Sequence, residues 1–331
     1  MALHDSLRGR LRIPAICAPM FLVSGPDLVR EACKAGVVGA LPRQNARSLE
    51  QFESWLSDIR TALDAHEQTT GRPAGPIAVN LATQMPADEL DTHLKICEQA
   101  GARIIISALG DPTALATRVH DWGGLVFHDV TTMRQAEKAI RAGVDGVTCI
   151  GSGGGGHSGA INLLVLVQAV RAIFDGVIVA AGAISTGEAI RALEVLGADL
   201  AYLGTRFIAT KESLAPELYK AMLVSETSAG LSYTGKVAGV PANWLKESLR
   251  LAGLDPDNLP EPLGKGMRHD HLPAGARPWK NIWSAGQGID LIADVPSVAE
   301  LVDRLASEYA AAARRPVHAA PAGWAATEAA R

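Results

Sequence analysis

Eight times before residue 204 a short apolar, β-branched run gives way to a longer stretch of helical period. The runs are Ile13–Ala18, Val37–Leu41, Ile77–Leu81, Arg103–Ser107, Leu125–His128, Gly146–Ile150, Val177–Ala181 and Leu200–Leu203. They are mostly apolar rather than strictly alternating, which suits parallel strands covered on both faces. Gly36, Gly101, Gly143 and Gly197 close helical runs just before a strand, as capping glycines do. Helix starts are marked by the capping-box spacings Ser48/Gln51 and Ser185/Glu188 and by Asp111-Pro112. The pattern predicts an α/β fold, a closed (β/α)8 TIM barrel, with an open doubly wound sheet as the competing arrangement. A length of 331 residues allows two ordinary domains, but barrels of this kind routinely form one unit of about 200–250 residues.

The alternation stops after the eighth strand. Residues 1–212 are therefore assigned to the barrel and 213–281 to a small inserted subdomain of mixed, partly helical character. Residues 282–313 form a return loop and a final helix that begins with the capping box Ser297/Glu300 and presents Val298, Leu301, Val302 and Leu305 at helical spacing. The Ala/Pro-rich tail, 314–331, reads as flexible.

Composition narrows the function classes. Net charge is −4 with no basic cluster, which removes the electrostatic reason to expect nucleic acid or an acidic membrane surface as a partner. Cys17, Cys33, Cys97 and Cys149 have neither disulfide-framework nor zinc-site spacing. No apolar stretch approaches the roughly 18 residues of a membrane span, and the N-terminus lacks an export signal, so a cytoplasmic protein is expected.

The stretch Gly151–Gly159, GSGGGGHSG, leaves the sixth strand. Glycines there allow main chain to approach a flat or anionic ligand, and one ionisable side chain, His157, stands among them. A neutral imidazole can take a proton from a carbon acid near pH 7, which makes His157 the candidate base. Barrels carry their active sites at the strand C-termini and often hold phosphate after strands seven and eight. Ala181-Gly182-Ala183 with the following helix start, and Gly204-Thr205, make a phosphate cradle at those two positions. Ala18-Pro19-Met20, Gln44, Asn80, Ser107 and His128 stand at or just beyond the first five strands and suit a planar, polar heterocycle of the isoalloxazine kind. His128 is a candidate cation at the edge of that ring. Gly151–Gly156 also spells GxGxxG, but the helix does not begin at once and the unit is the sixth of eight, so a dinucleotide fingerprint is discounted. GK[ST], HExxH and GxSxG are absent, and no metal site is assigned.

Taken together, Ala18-Pro19-Met20, Val79-Asn80-Leu81, Gly155–Gly159, Ala181-Gly182-Ala183 and Gly204-Thr205-Arg206-Phe207 resemble the nitronate monooxygenase (2-nitropropane dioxygenase-like) family. Ala209–Ser213, Gly239–Leu245 and Trp283–Gly288 extend the resemblance along nearly the whole chain. The resemblance implies a non-covalent FMN at the barrel mouth with His157 as catalytic base. Gly155, Gly156 and Gln287 join the cofactor-binding set on the same ground. Where the family's glycine loop often carries an acidic residue, this chain has Ser152 and glycines. Trp244, Trp279 and Trp283 are candidates for a lid or for a small-domain core.

Three readings follow. The first is oxidation of an alkyl nitronate or nitroalkane by O2. The second is an NAD(P)H-dependent FMN reductase acting on a quinone or an enoyl-thioester. The third is a colourless, non-redox barrel that uses the cradle for a sugar phosphate, disfavoured because no lysine or paired carboxylates stand at the strand ends. Oligomeric state is left open, a homodimer being the assembly to test for.

Overall fold

A computed structural model of the chain describes residues 7–262 and 269–316; most of the tail assigned above, 317–331, lies outside the described residues. Eight parallel strands close on themselves in sequence order. They are β1 (Ala15–Cys17), β2 (Val38–Pro42), β3 (Ile77–Ala82), β4 (Ile104–Ala108), β5 (Leu125–Val130), β6 (Gly146–Ile150), β7 (Val177–Ala181) and β8 (Leu200–Leu203). Pairing of β1 with β8, Cys17 opposite Leu203, completes the ring and excludes the open sheet. The connecting helices are α1 (Pro26–Lys34), α2 (Leu49–Thr70), α3 (Ala87–Gln99), α4 (Thr113–His120), α5 (Met133–Arg141), α6 (Leu163–Arg171) and α7 (Gly187–Val195).

Strand alternation sorts the side chains into two apolar layers. Ile16, Val38, Ala40, Ala78, Ile104, Ile106, Leu125, Phe127, Val177, Val179 and Leu200 fill the barrel interior. The residues between them, such as Val79, Ile105, Val126, Val147 and Ile178, pack outward against Leu28, Phe52, Leu56 and Leu166 of the helices. The helix-ending glycines Gly36, Gly101, Gly143 and Gly197 have φ of 67–104°, a left-handed conformation that a Cβ disfavours. Ser48 caps α2 through its contact with the Gln51 amide. The capping expectation for α7 needs correction: Thr186, not Ser185, is the cap, accepting from Ala189 N at 3.2 Å. Ser185 instead donates to Gly288 O at 2.8 Å.

After β8 come α8 (Thr205–Ile208), α9 (Glu217–Ser225), an antiparallel hairpin of β9 (Leu231–Thr234) and β10 (Ala242–Leu245), and α10 (Lys246–Leu251). Trp244, Val237, Leu249 and Ile282 form a core for this segment, while Trp283 stacks on Tyr219 with ring centroids 5.0 Å apart. The return chain runs beside β10, Ala285 N donating to Asn243 O at 3.1 Å. It leads into α11 (Val298–Ala313), whose capping box is complete, with Ser297 N donating to Glu300 Oε2 at 2.7 Å. No described helix is long and apolar enough to cross a membrane.

Candidate functional site at the barrel mouth

The inward register carried to the strand C-termini sets the floor of the mouth. Ala18, Asn80, Asp129, Thr148, Ala181 and Tyr202 fall in phase with the interior residues of β1, β3, β5, β6, β7 and β8. Asn80 donates to Ile106 O at 3.2 Å, which leaves its amide oxygen for a ligand. The β1 turn is fixed by its own polar contacts, Met20 N donating to Ser24 Oγ at 3.0 Å. Asn45 pins this turn from the next loop: its amide donates to Met20 O and Ser24 O at 3.0 and 2.8 Å and accepts from Leu22 N at 2.8 Å. Leu22, held at φ 61°, is the strained residue that Asn45 compensates.

The glycine loop is held from both sides. Asn243 on β10 donates to Gly154 O at 2.6 Å and Ser152 O at 3.2 Å, and Tyr233 on β9 donates its hydroxyl to Ser158 O at 3.2 Å. Gln287 N donates to Gly153 O at 2.9 Å. A Cβ at Gly155 would lie 2.7 Å from Gly286 N, so the return chain requires glycine there; at Gly156 a Cβ would meet nothing within 4 Å. A cleft of about 480 Å³ beside this loop is lined by Ser228, Leu231, Tyr233, Asn243 and Gln287, and none of the inward strand-end residues reaches it.

His157 is half-buried, and its Nε2 is covered without a hydrogen-bond partner among the described residues. Burial lowers its pKa below the usual histidine value, which keeps the ring neutral at pH 7. Trp279, whose backbone has φ 60°, meets the imidazole edge-on with centroids 5.1 Å apart. Trp244 is buried in the subdomain core and Trp283 in the separate cluster around Tyr219, while Trp279 touches the candidate base.

The cradle combines two loops. Gly182 has φ 130°, and a Cβ on it would crowd Gly154 N at 3.2 Å; Ala183 follows at φ 55°. Thr205 accepts from Gly286 N at 2.8 Å, so its own hydroxyl proton stays available for an anion. A Cβ at Gly204 would have the Met20 and Ala18 side chains as its nearest neighbours, at 3.7–4.0 Å. One amide at the α7 start is already used, since Gly187 N donates to Glu308 Oε2 at 2.8 Å. Arg206 is buried against Asp294, 2.9 Å away, and turned from the cradle.

Three expectations for the mouth are corrected by the structure. Gln44 lies exposed in a short 3-10 turn. Ser107 and His128 are register neighbours on the helix-facing side of β4 and β5, in phase with Ile105, Val126 and Val130. They bond each other, Ser107 Oγ to His128 Nδ1 at 2.8 Å, and do not enter the barrel interior. The reason is that β5 continues past His128 to Val130, which puts Asp129 inward in its stead.

A family model for nitronate monooxygenase matches residues 10–308, nearly the whole chain. The chain belongs to the nitronate monooxygenase family. A nitronate monooxygenase of Paraburkholderia phytofirmans is 27% identical, the match covering 89% of this chain and 92% of that relative. A carboxyl-CoA dehydrogenase of Rhodococcus jostii acting on a methyl-oxo-octahydroindene is also 27% identical, but the match spans only 71% of this chain and 63% of that relative's length. Among solved structures, a nitroalkane oxidase from Streptomyces ansochromogenes superposes with a TM-score of 0.74 at 27% identity, covering 93% of this chain and 99% of that one.

Within this member of the nitronate monooxygenase family, Asn45, Asn243, Tyr233 and Asp129 carry site geometry that sequence reasoning missed. Asn45 and Asn243 each sit among turn or strand residues whose partners lie 21–25 and 89–91 positions away, so no local pattern marks them.

The adjacent pair His128 and Asp129 should make opposing contributions to stability in acid. Burial lowers His128 from 6.5 to about 4, so between those values the unfolded chain binds the extra proton and stability rises with pH. Burial raises Asp129 from 3.8 to about 7, so over that range the folded chain holds the extra proton and stability falls with pH. Each effect is worth roughly 3–4 kcal/mol and the two oppose each other. Denaturant melts of Asp129→Asn should then show stability climbing from pH 4 to 6.5, and His128→Asn should show it declining over the same span. Parallel curves for the two variants would contradict the pairing.

Proposed function

We propose that this chain oxidises alkyl nitronates and nitroalkanes with O2 in an FMN-dependent reaction in which His157 is the base. The observation that carries the reading is the unpartnered, buried Nε2 of a neutral imidazole on a glycine loop at the mouth of a closed barrel. The residues present fit the cofactor: a cradle at Gly182, Ala183, Gly204 and Thr205 whose Cβ space or backbone conformation suits an anion's close approach, and Ala18, Met20 and the Asn80 amide for a flat polar ring. When bound, FMN accepts the electrons of the substrate anion and passes them to O2.

His157 takes the α-proton of a neutral nitroalkane on Nε2, and burial favours this because the ring starts neutral. A preformed nitronate has already lost that proton and needs the imidazole only for position. Trp279 fixes the ring plane, and Asn243 with Tyr233 holds the loop that carries it. In this reading residues 213–281 act as a cap on the glycine loop, the division at 212 and 281 being part of the proposal.

The second reading, NAD(P)H-dependent reduction of a quinone or an enoyl-thioester, is supported by the similarity to a carboxyl-CoA dehydrogenase. Anaerobic mixing of the yellow holoprotein separates the two. Propionate 3-nitronate or ethylnitronate should bleach the flavin within the mixing experiment, and NADH should not. Bleaching by NADH alone would overturn the oxidase reading, and colourless protein would overturn both.

A further inference from the structure

Three polar side chains converge inside the barrel where a packed core would be apolar. Asp129 on β5 and Thr148 on β6 are direct register partners, and Tyr202 on β8 stands opposite Ala181 and Ile16. All three project inward, in phase with Phe127, Gly146 and Leu200. Asp129 Oδ1, Thr148 Oγ1 and the Tyr202 hydroxyl are each covered from solvent and have no hydrogen-bond partner among the described residues. A buried polar atom left in that state costs about 1–3 kcal/mol, so three in one chamber point to a partner that the chain itself does not supply. Asp129 and Tyr202 nonetheless keep partial exposure as whole residues. For an inward side chain one step from the end of its strand, that opening faces the mouth.

We propose that Asp129 is a ligand-contacting acid of the barrel mouth, its carboxyl O–H donating to an acceptor atom on the edge of the bound heterocycle while Thr148 and Tyr202 line the chamber beside it. The inference rests on the FMN reading above and adds to it a residue that faces the ring from below.

Asp129 carries the proton it needs. Burial pushes its carboxyl up to about 7, the smaller opposing influence of the neighbouring Thr148 hydroxyl offsetting it only in part. The groups facing it do not compete for charge: Ala108 on β4 and Thr148 on β6 are uncharged, and burial holds the Tyr202 phenol protonated well above its usual range. His157, on the loop after β6, is neutral for the reason already given. A ring that accepts from the acid binds the protonated form better, and the carboxylate formed at higher pH turns its lone pairs against the same acceptor.

The test uses the full chain stripped of flavin and retitrated with FMN, following fluorescence quenching at pH 6 and pH 8.5. The Kd of the wild type should weaken about tenfold more over this interval than that of Asp129→Asn, which donates at both pH values; this is the worth of roughly one hydrogen bond. Titration of the FMN phosphate is common to both proteins and cancels. As a measurement needing no variant, the visible bands of the wild-type holoprotein should titrate with a midpoint at or above about 7. Superimposable binding curves for the two proteins, or bands that stay fixed from pH 5.5 to 9, would sink the assignment while leaving FMN binding intact. A chain that takes up no FMN at either pH would sink both.

Discussion

Replacing His157 with alanine should leave the protein yellow and lower its turnover of a neutral nitroalkane by about 10²–10⁴-fold, the usual worth of a positioned general base. Turnover of the matching preformed nitronate should fall far less, because its α-proton is already gone. The split follows from where the side chain sits: its Nε2 has no partner and the ring rests against Trp279, while the cradle at Gly182 and Thr205 gains nothing from it. In the wild type, kcat/KM for the neutral substrate should decline as pH drops through a value below 6.5, since burial lowers the imidazole pKa and only the neutral ring accepts a proton. Steady-state rates on both substrates across pH check all of this. Equal losses on nitroalkane and nitronate would remove His157 from the base role.

Gly187→Ala should be among the most destabilising small substitutions in the chain. A Cβ at this position would lie 2.2 Å from Leu305 O and 2.3 Å from Tyr309 N, both backbone atoms of α11 that no rotamer change can move. The helix must shift as a body. That loosens the fully buried Val298, Leu301, Val302 and Leu305 from the barrel wall and strains the bond from Gly187 N to Glu308. A loss of about 3 kcal/mol is expected, seen as a melting temperature lower by roughly 6–10 °C. The flavin spectrum of the surviving folded protein should be unchanged, because α11 touches the wall and not the mouth. A melt within about 1 °C of wild type would mean that α11 is not docked as described.

The mouth shows where reading a strand by its length falls short. Asn80 stands inward because β3 runs as far as its apolar pattern suggests. His128 does not, because the ladder between β5 and β6 continues through Asp129–Thr148 and Val130–Cys149. The side-chain period along a strand is two, so a boundary misplaced by one residue exchanges the inward residue for its neighbour. The same arithmetic sends Ser107 to the helix side. At α7, Ser185 and Thr186 are equally good caps by type; the choice falls to Thr186 because the return chain places Gly288 O where Ser185 can reach it.

By itself the sequence determined the closed barrel, its order of strands and the place of the glycine loop, because strand and helix periodicity, capping glycines and loop composition are local properties written in adjacent residues. The tertiary structure alone decided which strand-end side chains face inward, that Asn45 and Asn243 hold the two critical loops, that Trp279 lies against His157, and that Asp129 occupies the chamber beneath. Those outcomes depend on register between strands and on contacts spanning up to about 120 positions, such as Trp279 with His157. No local pattern encodes them, since each is fixed only when barrel closure brings distant backbone into hydrogen-bonding reach.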